Sequence, residues 1–394
     1  MSVMTLVSCE EDILTELNES LSQVEGLDKT VPLEKVTLDL YIITDETTEE
    51  NAMKTVNDKI NQHLKDRKNK KFDTTLKIHY IKVTEDSSYL EQLEGKTSGI
   101  VLIDGKDTLD ALVSANRLAN LEHKDLIYED NTFKFAQLNL AVGKDLLEMA
   151  RETVTVSDTE KYKQLNFIPN NHVIGSYKYI TFKESIATAL YWGEDEIRKI
   201  TSVDSTKYED LMYDFYEAYP EGNWEDFVQV REDQPYYMAD KYEEDGYYCN
   251  ILEKPVLNKE EAARAGFAIL KDPSVVDTQA FYDSKTEESK KHKSYVQSAL
   301  EFILALNTDS TLRNYLQYGI ENTNYTVKDG KVVPIDPTKP EYADLEDSVY
   351  KMNIEYTGSV FLAKFCDTYK GEWEWTAELK SSGEDQNKDV IIAK

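Results

Sequence analysis

The sequence contains no run of about 18 consecutive apolar residues, so no segment reads as a membrane-spanning helix. Its three cysteines, Cys9, Cys249 and Cys366, are too few and too far apart for a zinc cage. Its five histidines, His63, His79, His123, His172 and His292, lack ligand spacing. No G-x-S-x-G elbow, H-E-x-x-H helix or G-x-G-x-x-G loop occurs, and Glu94-Gly95-Lys96-Thr97 lacks the earlier glycine of a phosphate loop, which speaks against an ATPase. Residues 240–253 look superficially like a calcium loop, but the glycine is misplaced and Tyr242 stands where an oxygen ligand is needed. With 75 acidic residues, no carboxylate pair can be singled out for glycoside hydrolysis, because pair separation is a three-dimensional quantity. These absences point away from an enzyme, a metal site or a bound cofactor. Basic residues are outnumbered, 45 against 75, and the net charge of −30 repels nucleic-acid phosphates and anionic lipid while keeping the surface well solvated.

What is present is a chain of 394 residues, 40% hydrophobic, enough for two domains each with a core. It has 26 tyrosines and only 15 glycines. Tyrosine offers a flat apolar face with a hydroxyl, which suits sugar recognition as well as half-buried packing. Residues 36–43 read as a strand apolar on both faces, as parallel strands are. A capping box at Thr47 and Glu50 is expected to open a helix along Met53, Val56, Ile60 and Leu64. Strands over 76–83 and 99–103 alternate with helices over 87–93 and 109–118, which predicts a parallel sheet with right-handed crossovers. Ligands of such sheets sit beyond the carboxyl ends of the strands, so Asp104 in the loop 104–107 is a candidate cleft residue. The same loop can also be read as a plain helix start. Aromatic residues concentrate between 191 and 248, where Trp224 follows Pro220-Glu221-Gly222-Asn223 in a loop context. Strands or their connections are expected over 229–237 and 247–252, with Gly246 as the turn, and a polar insertion over 272–293. An amphipathic helix follows over 295–306, then a second over 312–318 ended by Gly319. A hairpin turns at Asp329-Gly330, and a helix opens near Val360.

Residues 166–182, NFIPNNHVIGSYKYITF, leave one apolar strand, break at Pro169-Asn170-Asn171 and resume as a β-branched, aromatic strand. This stretch, the AGFAIL run at 265–270 and the segment 307–327, NTDSTLRNYLQYGIENTNYTV, resemble bacterial extracellular solute-binding lipoproteins of ABC importers, of the sugar-binding, family 1 type. The resemblance covers most of the chain from about residue 36 onward. It implies a type II periplasmic-binding-protein-like α/β fold, with two lobes joined by crossover hinge strands and a ligand cleft between them. It also implies that residues 265–270 lead back to the first lobe and that the break at Tyr356-Thr357-Gly358-Ser359 faces the cleft. The ligand contacts expected on residue type and topology are Asp104, Asn170, Asn171, Trp192, Trp224, Tyr356 and Trp373.

Leu6-Val7-Ser8-Cys9 matches a lipobox, in which cleavage leaves the cysteine thiol carrying lipid; residues 1–8 then read as the remnant of a signal peptide and 9–33 as lipidated Cys9 and an acidic linker. Lobe 1 is expected at 34–171 plus 268–324, and lobe 2 at 172–267 plus 325–394. Cys249 and Cys366 are then either two buried thiols or a disulfide closing a loop of about 100 residues, worth roughly 4 to 5 kcal/mol. The expected function is capture of an extracellular solute, an oligosaccharide first and a peptide second, by a monomer lipid-anchored outside the cell membrane or periplasmic, with delivery to ABC permease subunits. The alternatives are a secreted glycosidase, or a surface carbohydrate-binding or sensor protein without an importer.

Overall fold

The computed structural model describes residues 33–364, apart from 69, 85–86, 123–130, 158–159, 173–176, 235–237, 254–257, 276–280, 282, 337, 340–341 and 343–347. Cys9, Cys366 and Trp373 lie outside the described residues.

The first body starts with strand β1 (Glu34–Thr44), helix α1 (Glu50–Asp66) and strand β2 (Phe72–Lys82). Short helix α2 (Tyr89–Gln92), strand β3 (Gly99–Ile103) and helix α3 (Lys106–Ser114) follow. Helix α1 buries Ala52, Val56, Ile60 and Leu64, the stripe its 3.6-residue period requires. The capping box expected at its start does not form. Glu49 is the N-cap without a side-chain bond, while Thr47 turns back to Asp45, donating N–H at 2.9 Å. A true capping box pairs Ser88 with Glu91 at α2.

Helices α4 (Asn131–Val142) and α5 (Lys144–Met149) lead to an antiparallel hairpin, β4 (Arg151–Ser157) with β5 (Glu160–Leu165), and to the short strand β6 (Phe167–Pro169). The chain then builds a second sheet from β7 (Tyr177–Lys183), helices α6 (Glu184–Ala189), α7 (Glu194–Ile197) and α8 (Thr206–Ala218), β8 (Val228–Gln234), α9 (Met238–Glu244) and β9 (Tyr247–Glu253). β7 lies between β8 and β9, antiparallel to both. Its alternation splits the core into two faces. Ile180 and Phe182 join Leu211, Phe215 and Phe227 on one side, and Tyr177 and Tyr179 join Tyr242 and Cys249 on the other.

Helix α10 (Lys259–Ala262) precedes the return strand β10 (Gly266–Leu270), which is followed by helices α11 (Glu287–Leu306) and α12 (Ser310–Tyr318). A hairpin of β11 (Tyr325–Lys328) and β12 (Lys331–Pro334) then turns through Asp329 and Gly330, both at positive φ. α11 starts eight residues before the position its apolar stripe predicts, because Thr286 caps it by accepting from Ser289 N–H. Near the C-terminal end only a short 3-10 turn, Val360–Leu362, stands where a helix is expected.

The main sheet has the order β2-β1-β3-β10-β6. β1 pairs with β2 and β3 in parallel, as the alternating pattern predicts, whereas β10 runs antiparallel to both β3 and β6. The reversal has a geometric cause. The chain leaves this sheet at the carboxyl end of β6 and re-enters beside that point, so the returning strand must run the other way. Gly266 makes the fit possible, since a Cβ there would lie 2.5 Å from Ile168 O and 2.9 Å from Pro169 Cα. One apolar core extends from β1 to Phe361 and Ala363. Tyr325, Val332, Tyr350, Met352, Ile354 and Val360 belong to it, so the described part of 325–394 packs with the first body, not with the second lobe to which it was assigned from sequence. The physical reason is that α12 and α11 supply the apolar and hydrogen-bonding surface on which this segment lies.

Gly266→Ala forces backbone against backbone in a fully buried strand and is expected to lower stability by about 1–3 kcal/mol in denaturant melts. An unchanged midpoint would show that β6 and β10 are not held in this register.

Candidate functional site

The carboxyl ends of β1, β2, β3 and β6 and the amino end of β10 share one edge, as the pairs Thr44 with Lys82, Ile103 with Gly266 and Gly266 with Pro169 establish. Residues 349–360 run along this edge as an irregular strap. At the β1 end, Glu49 N–H donates to Val349 O (2.9 Å) and Thr48 Oγ1 donates to Lys351 O (3.0 Å). Further along, Gln317 Nε2 donates to Met352 O (2.7 Å) and the fully buried Arg313 donates to Ile354 O (2.8 Å). At the crossing, Asn170 Nδ2 donates to Glu355 O (2.6 Å), the Arg264 guanidinium contacts the Glu355 carboxylate, and Val360 N–H donates to Asn171 O (2.9 Å). Asn170 N–H donates to Ala265 O (2.9 Å), so the outgoing and returning chain segments are tied to each other and to the strap.

Four of the predicted contacts meet on this edge. Asp104 follows β3 and accepts from Thr108 Oγ1 at 2.5 Å, so the loop does start a helix, with its carboxylate half-buried at the strand end. Tyr356 is half-buried, and burial together with the charges of Asp104 and Glu355 pushes its phenol up to about 12. Beneath them Tyr89 donates to Tyr41 O (2.9 Å) and accepts from Leu102 N–H (3.0 Å). Its phenol is held well above the usual range by burial, with Asp104 and Tyr356 adding to the shift. Asn170 and Asn171 are buried, and their Oδ1 atoms accept no hydrogen bond among the described residues. The half-buried Asp104 carboxylate and Tyr356 phenol are the groups here that can hydrogen-bond to hydroxyl groups.

The two tryptophans lie elsewhere. Trp192 donates to Asp214 Oδ2 (2.8 Å) under the Lys207 ammonium. Trp224 donates to Tyr208 Oη (3.0 Å), with its ring edge-on to Phe215 at 5.3 Å and to Phe227 at 5.4 Å. Both pack against the core of their own body. Sequence reasoning missed His172, Arg264 and Glu355. The run Asn170-Asn171-His172 directly after a fully apolar strand was the available signal. His172 is buried and its ring nitrogen Nδ1 lies 2.7 Å from Asn170 O. Burial, reinforced by the nearby Arg264 charge and opposed by Glu355 and backbone carbonyls, lowers its pKa to about 4. Among the described residues no cluster of side chains is arranged to hold a metal ion, and no helix is long and apolar enough to cross a membrane.

No protein-family model matches the chain, and no curated protein matches it. Among solved structures it is similar to an N-glycan transport solute-binding protein from Streptococcus pneumoniae, at 13% identity over 88% of this chain and 82% of that one, with a TM-score of 0.46. It is also similar to an extracellular solute-binding protein of family 1 from Alicyclobacillus acidocaldarius, at 11% identity over 89% of this chain and 87% of that one, with a TM-score of 0.38. These structural neighbours are solute-binding proteins. The class that the chain's own strand order defines is a mixed α/β protein with two separately cored sheets joined by an outgoing and a returning segment.

Two outcomes are expected. His172 titrates near 4 in the folded chain and near 6.5 when unfolded, so the unfolded state binds more protons between these values. Stability is complete above about pH 6.5 and falls by up to about 3 kcal/mol as the pH drops toward 4. His172→Gln should flatten that slope in urea melts at pH 7 and 4.5; an unchanged slope removes His172 as its source. Trp224→Ala should destabilise the protein by about 2–4 kcal/mol, since it removes a ring packed on Phe215 and Phe227. A melt equal to wild type would mean the ring is not packed as described.

Proposed function

We propose that this chain is the solute-binding protein of an ABC importer, which captures an extracellular solute and delivers it to a membrane permease without covalent chemistry. The observation that carries it is the double crossing. A complete second body with its own core is inserted between β6 and β10, and both junctions lie at the carboxyl edge where Asp104, Asn170 and Tyr356 gather. Two bodies joined by a pair of adjacent segments can close on a ligand that touches both, and closure is driven by the ligand binding the closed state more tightly than the open one. The ligand class we infer is an oligosaccharide. Its hydroxyls would donate to the half-buried Asp104 carboxylate, and its apolar face would stack on Tyr356. Trp373, outside the described residues, is the aromatic candidate that remains. Lipid attachment at Cys9 would tether the protein to the outer face of the membrane, and it would act as a monomer.

A thermal-shift screen with mono- and oligosaccharides and short peptides tests this. A ligand at 100 times its Kd adds about 2.7 kcal/mol to the native state, a shift of a few degrees. We expect a shift with an oligosaccharide and no product in the same tube, and at least a ten-fold weaker affinity for Asp104→Ala and Tyr356→Ala. A response to peptides alone changes the ligand class, and consumption of the sugar replaces the receptor with a glycosidase.

A further inference from the structure

Helix α8 is apolar on two faces. One face, with Leu211 and Phe215, is buried in the second body's core. The adjoining outer face carries Met212, Tyr213 and Tyr216, with Tyr219 at the C-cap, at i, i+1, i+4 and i+7, all exposed, with Tyr213 at 71%. A surface helix with one core to face normally turns polar on its other side, and a continuous exposed apolar stripe marks an interaction surface. Tyr216 and Tyr219 retain inner contacts, Tyr216 stacking on Trp224 and Tyr219 tilting against Phe215, so the stripe is anchored and not a loose set of side chains.

Charge identifies the occupant. Residues 184–226 carry twelve acidic side chains against three basic ones, a ratio of four to one, where the whole chain has 75 against 45. Glu209 lies within the tyrosine stripe one turn before Met212 and Tyr213, and Glu217 beside it, both exposed. A second copy would bring the same excess of negative charge. The chain's own ends do not complement it either, since residues 1–32 carry seven acidic and one basic side chain and 365–394 carry seven and four. We propose that this face of α8 docks a basic protein surface, whose arginine and lysine side chains lie over the tyrosine rings while pairing with Glu209 and Glu217. The site is separate from the sheet edge and does not depend on the solute-binding reading.

The test uses the full chain and a fluorescently labelled peptide of alternating arginine and serine, titrated by anisotropy at 150 mM salt. Met212→Ser with Tyr213→Ser leaves the charge unchanged and should weaken binding at least ten-fold, as should Glu209→Gln with Glu217→Gln. The single variant Tyr213→Ser, at the most exposed position of the stripe, should show the same direction if the double variant folds poorly by circular dichroism. Equal binding by wild type and the serine variants means the peptide is held by diffuse charge, and overturns the proposal. So does dimerisation of wild type that the serine variants abolish, or binding of a neutral oligosaccharide that they abolish, since either gives the face to another occupant. The solute-induced thermal shift should stay the same in these variants, which keeps this outcome distinct from failure of the sheet-edge site.

Discussion

The return of the chain through β10 is the constraint on which the rest depends. Five residues, Gly266–Leu270, are buried between β3 and β6, and every backbone donor and acceptor there must find a partner on one side or the other. Because the chain re-enters at the edge where it left, the strand can satisfy both neighbours only in antiparallel register, and only with glycine at the point of closest approach. The two junctions with the second body are thereby fixed side by side, where Asn170 N–H meets Ala265 O.

The strap 349–360 solves a second problem of the same kind. Apart from the 3-10 turn Ile354–Thr357 it is irregular, so most of its carbonyls are not paired within a helix or sheet. Gln317 and Arg313 from α12 and Asn170 from the crossing reach these carbonyls instead. Gly358, at φ 107°, passes so close to Leu306 O that no Cβ fits. The buried amides of the crossing therefore have a structural duty. The amide nitrogens of Asn170 and Asn171 hold backbone, at Glu355 O and Ala141 O, and their oxygens are left as acceptors.

Much of this was legible from local pattern. Full burial of β3 follows from five consecutive apolar or small residues, the inner face of α1 from its spacing, and the positive-φ turn after α12 from Gly319 at φ 76°. The carboxyl end of β3 and the Asn170-Asn171 break could be placed at the sheet edge because strand ends and turn residues leave marks in sequence. The tryptophans illustrate the opposite. A loop tryptophan and a core-edge tryptophan have the same sequence context, and only the positions of Phe215, Phe227 and Tyr208 place Trp224 against its own body.

Arg264 and Glu355 left no local mark, because what gathers them is a set of contacts spanning up to 185 positions of chain. By itself the sequence determined the apolar strands and helix stripes of residues 36–118, the acidic and aromatic character of the chain and the absence of recognisable catalytic motifs, since these follow from short-range sterics and composition. The tertiary structure alone decided the reversed direction of β10, the membership of Tyr325, Val332 and the apolar residues between Tyr350 and Ala363 in the first core, and the identity of the groups at the crossing. Each of these is a choice of partner between segments far apart in sequence, and hydrophobic burial, having no direction of its own, specifies such a choice only when the whole sheet edge must be satisfied at once.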